Sequence, residues 1–257
     1  MHLTTSPSTC ALLFLFLLLH SLAAGMSSSA AGKGASRGAL IFLHGLGDTP
    51  AGWSQLQFSL PDLRPRLRNL SYVFPAAPTI PIAINGGMKM PGWFDLYDWP
   101  IGVGSKDDKS GLLAGVDAIE AEVAKLNEQG IPSERIVVGG FSQGGAVALL
   151  AAYRSGTRYA GCAALSGWLT LPSELQVSDE AKKTPLFWGH GEMDDKVLFE
   201  QQRFGVDKLR EADVDSIVDE SYRMGHSSHP KEMESFASFV ESAIFGDDDG
   251  NELQRLM

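Results

Sequence analysis

Between residues 38 and 245 two kinds of hydrophobic pattern alternate along the chain. Short apolar runs, ALIFLHG (39–45), YVFPAAP (72–78), RIVVGGF (135–141), GCAALSGW (161–168), TPLFWGHG (184–191) and SIVDESY (216–222), predict strands. Longer stretches predict helices: GLLAGVDAIEAEVAKLNEQG (111–130), GGAVALLAAYRSG (144–156), LFEQQRFGVDKLREA (198–212) and HPKEMESFASFVESAIF (229–245). In the first of these Leu112, Leu113, Val116, Ile119, Val123 and Leu126 recur at three- and four-residue steps. Glu120, Glu122, Lys125 and Glu128 fall mostly off that stripe, so the helix should cover a sheet face, and Gly130 and Pro132 should stop it. Alternation of this kind implies an α/β fold with a mostly parallel central sheet, helices on both faces, and ligand sites beyond the carboxyl ends of the strands.

The flanks break the pattern. Residues 11–19, ALLFLFLLL, are continuously apolar and lead into HSLAAG, the shape of a secretory leader cleaved near Ala23 or Ala24. The run is shorter than the roughly 18 apolar residues of a spanning helix, so stable membrane insertion is not expected. It also lacks a basic n-region, and Met26 offers an alternative start. We therefore expect a leader over 1–24, a disordered Ser/Ala/Gly-rich lead-in over 25–37, one domain over 38–246 and an acidic tail over 247–257. The sequon Asn69-Leu70-Ser71 would matter only in the secretory pathway.

Charge narrows the partners. With 31 acidic and 21 basic residues among 257, the net charge of −10 disfavours nucleic acid or anionic lipid held by electrostatics. Two cysteines in unlike contexts, Cys10 beside the leader and Cys162 in a strand, do not make a disulfide framework, and Cys162 reads as a small buried residue. No H-E-x-x-H or C-x-x-C occurs, and the pair His226 and His229 has no third ligand, so no metal is expected.

One stretch carries chemistry. Gly140-Phe141-Ser142-Gln143-Gly144 is a G-x-S-x-G set between a predicted strand and a predicted helix. A serine on so tight a turn is lifted off the sheet edge, and the following helix aims its first N–H groups at the place where an oxyanion would form. Such a serine needs a base and a third group that orients the base, following it in the order Ser, Asp or Glu, His. Of the six histidines, His2 and His20 lie in the leader, and His44 and His190 precede any eligible acid. His226, on the loop after SIVDESY, is the candidate base, while His229 before Pro230 reads as a helix cap. The acid must come from GHGEMDDKV, where Glu192, Asp194 and Asp195 compete. Oxyanion donors are sought in the backbone N–H of Gln143 and on the early loop at Leu46-Gly47. Residues 85–99, NGGMKMPGWFDLYDW, read as a loop that either packs the core or walls a groove for an apolar chain.

In order along residues 38–245, the motifs LIFLHGLGDTPAGW, FPAAP, MPGWFD, GIPSERIVVGGFSQGGAVAL, ALSGWL, GHGEMDDKV and MGHSSHPKEM resemble the acyl-protein thioesterase and carboxylesterase family, also called lysophospholipase-like. The resemblance implies an α/β-hydrolase fold, no cofactor, and cleavage of carboxylic esters or thioesters, with acylated proteins or small acyl esters as substrates. It implies Ser142 as nucleophile, Asp194 as acid, His226 as base, and Leu46 and Gln143 as oxyanion donors. It also implies a cytoplasmic location, against the secretory reading of the leader. The acid loop departs from the family's H-G-D-x-D-P-x-V-P: both prolines are missing, and Asp195 adjoins Asp194. The departure makes a looser loop, or competition between the two aspartates for His226, the expectation to test. A non-catalytic binder of a small hydrophobic ligand on the same scaffold, or a carboxylesterase without protein substrates, is the alternative.

Overall fold

The structure is a computed structural model that describes residues 38–246; the expected leader, lead-in and acidic tail lie outside the described residues. Strand β1 (Gly38–Leu43) is followed by two short helices, α1 (Pro50–Trp53) and α2 (Leu56–Leu63), and by β2 (Leu70–Val73). A hairpin of β3 (Thr79–Ile82) and β4 (Met88–Pro91) precedes α3 (Lys109–Glu128). Then come β5 (Ile136–Phe141), α4 (Gln143–Arg154), β6 (Gly161–Leu165), β7 (Leu186–Gly191), α5 (Glu200–Glu211), β8 (Ile217–Tyr222) and α6 (Pro230–Phe245).

Six strands form one sheet in the order β2-β1-β5-β6-β7-β8, every neighbouring pair parallel. Side chains alternate across it, as a pleated strand requires. Ile41, Val138, Ala164 and Trp188 pack on one face with Leu112, Ile119 and Val123 of α3 and Val206 and Leu209 of α5. Leu40, Phe42, Val137, Leu165 and Phe187 pack on the other with Leu60 of α2 and Phe236 and Val240 of α6. Helices thus cover both faces, and each fully buried Leu, Ile or Phe contributes roughly 1.5–3 kcal/mol of burial free energy. Helix α4 is buried from Gln143 to Tyr153, consistent with its alanine-rich, nearly charge-free sequence.

Three local differences from the sequence reading have physical causes. Helix α3 begins two residues before the predicted stretch, because the Asp108 side chain caps it by accepting from the Gly111 N–H at 3.1 Å. Strand β2 ends at Val73, before Pro75 of the predicted run. Residues 79–91, partly assigned to loop, form a two-stranded antiparallel ribbon turned at Gly86 and Gly87, whose φ values of 66° and 80° favour glycine. His229 does cap α6: its Nδ1 accepts from the Lys231 N–H, while the Glu232 carboxylate accepts from the His229 N–H. Cys162 is fully buried in β6, where burial pushes its thiol pKa up.

Candidate active site

Ser142 occupies the single residue between β5 and α4, with φ 55° and ψ −121°, a conformation that L-residues rarely adopt. The flanking glycines make this turn sterically possible. A Cβ on Gly140 would lie 2.3 Å from the Gly144 carbonyl carbon, and one on Gly144 would lie 2.2 Å from the Leu43 oxygen. The Ser142 N–H donates to the Leu165 carbonyl at 2.9 Å, and its own carbonyl accepts from Ala146 at 3.0 Å, so the corner is tied to both β6 and α4.

His226 follows β8 on a loop zipped to the one after β7: Glu192 N–H donates to the Tyr222 carbonyl at 2.8 Å and Met193 N–H to Met224 at 3.0 Å. The zipper brings His226 Nε2 to 2.9 Å from Ser142 Oγ and His226 Nδ1 to 2.7 Å from Asp194 Oδ2. A carboxylate only accepts, so the imidazole proton sits on Nδ1 and Nε2 is left to receive the serine proton. The Phe141 ring, 4.7 Å from the imidazole between centroids, backs the histidine.

Of the three competing acids, Asp194 alone meets the histidine. It is 5% exposed, and its other oxygen accepts from the Lys196 and Val197 N–H groups, each at 2.9 Å. Burial pushes its pKa up, but the His226 hydrogen bond and charge and the two backbone donors outweigh burial and hold the carboxyl below its usual range. Asp195 is turned outward, with a side chain 75% exposed and paired to Lys196 Nζ at 3.3 Å. Glu192 accepts from Ser221 Oγ at 2.9 Å. Despite its missing prolines the acid loop is tethered. His190 Nε2 donates to the Val197 carbonyl at 2.9 Å, Ile101 N–H to Lys196 at 2.8 Å, and Leu198 N–H back to Ile101 at 3.0 Å. Burial lowers the His190 pKa, keeping that buried ring neutral beside Asp194.

A cleft of about 500 Å³ opens over Ser142 and His226, walled by Trp53, Leu96, Trp99, Ile101, Trp168 and Val197. Leu96 and Trp99 come from the segment 85–99, which therefore does wall the cleft. Leu46 lines it too, and neither its N–H nor that of Gln143 donates to another protein group among the described residues. Gln143 opens α4, so its N–H also lies at the positive end of a helix. The Gln143 side chain has a role that the sequence reading missed: its Oε1 accepts from the Trp93 N–H at 3.0 Å and its Nε2 donates to the Phe94 carbonyl at 2.7 Å. No local pattern announces a contact between positions fifty residues apart.

A parallel sheet that presents a serine on the turn after a central strand, in reach of a histidine and a buried carboxylate from two later loops, is the arrangement of an α/β hydrolase. The chain belongs to the phospholipase/carboxylesterase family, whose match spans residues 25–244. Acyl-protein thioesterase 1 of Mycosarcoma maydis is 39% identical over 219 residues, 80% of this chain and 90% of that protein. Acyl-protein thioesterase 1 of Saccharomyces cerevisiae is 37% identical over 218 residues, 81% of this chain and 94% of that one. The crystal structure of Arabidopsis thaliana SOBER1 superposes with a TM-score of 0.75 at 34% identity, covering 80% of this chain and 99% of that chain.

Proposed function

We propose that this protein is a serine hydrolase that cleaves acyl esters and thioesters through Ser142, His226 and Asp194. The observation that carries the reading is the two-bond relay from Ser142 Oγ through His226 to buried Asp194, on the floor of an apolar cleft. His226 Nε2 takes the Oγ proton as Oγ bonds to the acyl carbon, and the carbonyl oxygen becomes an oxyanion held by the Leu46 and Gln143 N–H groups. Collapse breaks the bond to the alcohol or thiol, which leaves with the proton from His226. Water then repeats the sequence on the acyl-serine, releasing the carboxylic acid and restoring the serine proton. Asp194 keeps the imidazole oriented and compensates its positive charge.

The family and the acyl-protein thioesterases among the relatives favour acylated proteins as substrates, with small acyl esters as simpler ones. The apolar walls suit an acyl chain. No helix among the described residues is long and apolar enough to cross a membrane. The location proposed is the cytoplasm, to be checked by mass spectrometry of the mature N-terminus: an end left by cleavage after Ala23 or Ala24 would mark the secretory pathway and overturn it, whereas one at Met26 or Ser27 would mark an internal start.

A fluorophosphonate probe tests the chemistry. Wild type should label covalently at Ser142 and hydrolyse para-nitrophenyl octanoate, and Ser142→Ala should do neither. Folded wild type that fails to label would refute the hydrolase reading. Palmitoyl-cysteine peptide cleaved faster than the matched serine ester would establish thioester preference.

A further inference from the structure

The two proposed oxyanion donors, Leu46 and Gln143, come from different strand ends and lie 97 positions apart in sequence. Stabilising one oxygen requires their N–H groups to converge to within a fraction of an ångström, and neither loop alone sets that spacing. One short segment touches both. From the end of β4, the run Pro91-Gly92-Trp93-Phe94 passes between the β1 loop and the start of α4. Toward β1, the buried Trp93 indole N–H donates to the His44 carbonyl at 2.8 Å, and the Gly47 N–H donates to the Pro91 carbonyl at 2.8 Å. These bonds hold the peptide groups immediately before and after the one that carries the Leu46 N–H.

The peptide between them is also fixed. The Gly45 carbonyl, opposite the Leu46 N–H across the same bond, accepts from the Asp48 N–H at 3.3 Å and from His44 Nδ1 at 2.8 Å. The proton belongs on Nδ1 because His44 Nε2 accepts from the Ala77 N–H at 3.2 Å. With the carbonyl drawn toward Asp48 and His44, the Leu46 N–H faces the other way. Toward α4, the same segment grips the Gln143 side chain at both its amide atoms. Gly92 leaves little slack: a Cβ there would lie 3.0 Å from Leu46 Cδ1 and 3.5 Å from Gln143 Oε1.

We infer that Trp93 and the Gln143 side chain are positioning residues that set the distance between the two oxyanion donors, with the segment Pro91–Phe94 as the gauge between them. They act through the Leu46 and Gln143 backbones and touch no reacting atom. The inference rests on the hydrolase reading above. It separates acceleration from binding, because a donor displaced by an ångström is lost to the tetrahedral oxyanion while the apolar walls still hold the ground-state acyl chain.

The test compares Trp93→Phe, which keeps an aromatic ring but removes the indole N–H, with Gln143→Met, which keeps the length and neutrality of the side chain but loses its bonds to Trp93 and Phe94. Each should lower kcat on para-nitrophenyl octanoate by about 10- to 100-fold with KM changed less than about twofold. Affinity for an octyl trifluoromethyl ketone, which forms a tetrahedral adduct, should fall in proportion to kcat/KM. The acid limb of the pH profile should not move, because His226 and Asp194 are untouched. A raised KM with kcat preserved would make Trp93 a wall of the groove and overturn the inference, as would analogue affinity unchanged in both variants. Should either variant fold poorly, nitrogen-15 spectra of wild type supply the same decision. Phosphonylation of Ser142 should shift the Leu46 and Gln143 amides and the Trp93 indole together, and an unmoved indole beside shifted amides would overturn it. Wild type that does not label at all sinks the hydrolase reading instead, so the two failures are distinguishable.

Discussion

The turn that carries Ser142 and the loop that carries Asp194 both sit at carboxyl ends of strands in one sheet, yet they are held in opposite ways. The serine turn is held by exclusion: glycines at 140 and 144 are the only residues that clear Gly144 and Leu43, and the strained serine follows from them. The aspartate loop is held by attraction. Asp194 gathers two backbone N–H groups, His190 grips Val197, and Ile101 bridges from a distant segment. A site held by sterics tolerates almost no change of residue. One held by several hydrogen bonds does not depend on any single residue of its loop, and here it forms without the two prolines and with a second aspartate beside the first.

Substitutions on each side should expose that difference. The largest effect is expected from Ser142→Gly, which should abolish ester hydrolysis, a loss of about 10⁶-fold. The same change should raise the free energy of urea unfolding by about 1 kcal/mol, because glycine relieves the strained backbone. A variant less stable than wild type would mean that the turn is not strained.

On the attractive side, Asp194→Asn should lower kcat by about 10⁴-fold, and Asp195→Asn should change it by less than about twofold, since an exposed ion pair contributes little. Comparable losses in the two would show that the aspartates share the role. The lowered pKa of Asp194 fixes a pH dependence as well. A carboxyl held below its unfolded value stabilises the protein above the ordinary range of about 4, and that contribution disappears as pH falls through the native value. The stability gap between wild type and Asp194→Asn should therefore be constant at neutral pH and close in acid.

Gly144→Ala comes next, with about 3 kcal/mol of stability lost as its methyl meets the Leu43 carbonyl, measurable by thermal unfolding. Below it comes Glu232, with an effect on stability alone; it caps the helix after the His226 loop and presses Oε1 against Gly189 of β7. Burial, reinforced by Glu220 and opposed by the His229 N–H, raises its pKa from 4.5 to about 7. Between those values the unfolded chain releases a proton that the native state keeps, so native stability declines as pH rises and levels off above about 7. Glu232→Gln keeps a cap acceptor and should remove that decline, gaining on the order of 2 kcal/mol on wild type between pH 5 and 8. Parallel pH curves for the two would refute it.

Much of this was legible along the chain. The α3 stripe, six of the strands and the serine turn were each written in a short window, where periodicity or a glycine pair decides the outcome. The β3–β4 ribbon carried a turn marker in Asn85-Gly86-Gly87, but Pro81 and Pro91 inside its strands masked it. The short helix α1 has only four residues, too few to show a period, and α2 was obscured by Pro61 inside it.

What the sequence determined by itself is what local sterics and hydrophobic period control: a parallel sheet covered on both faces, and a serine forced onto a sharp corner at its edge. The residues of the acid loop left Glu192, Asp194 and Asp195 open and the family resemblance implied Asp194; the tertiary structure shows why, since Asp194 alone is buried against His226, and only that structure joins two loops into one cradle through Trp93 and Gln143. Those outcomes depend on which polar groups are buried together, and burial is set by contacts between residues far apart in the chain.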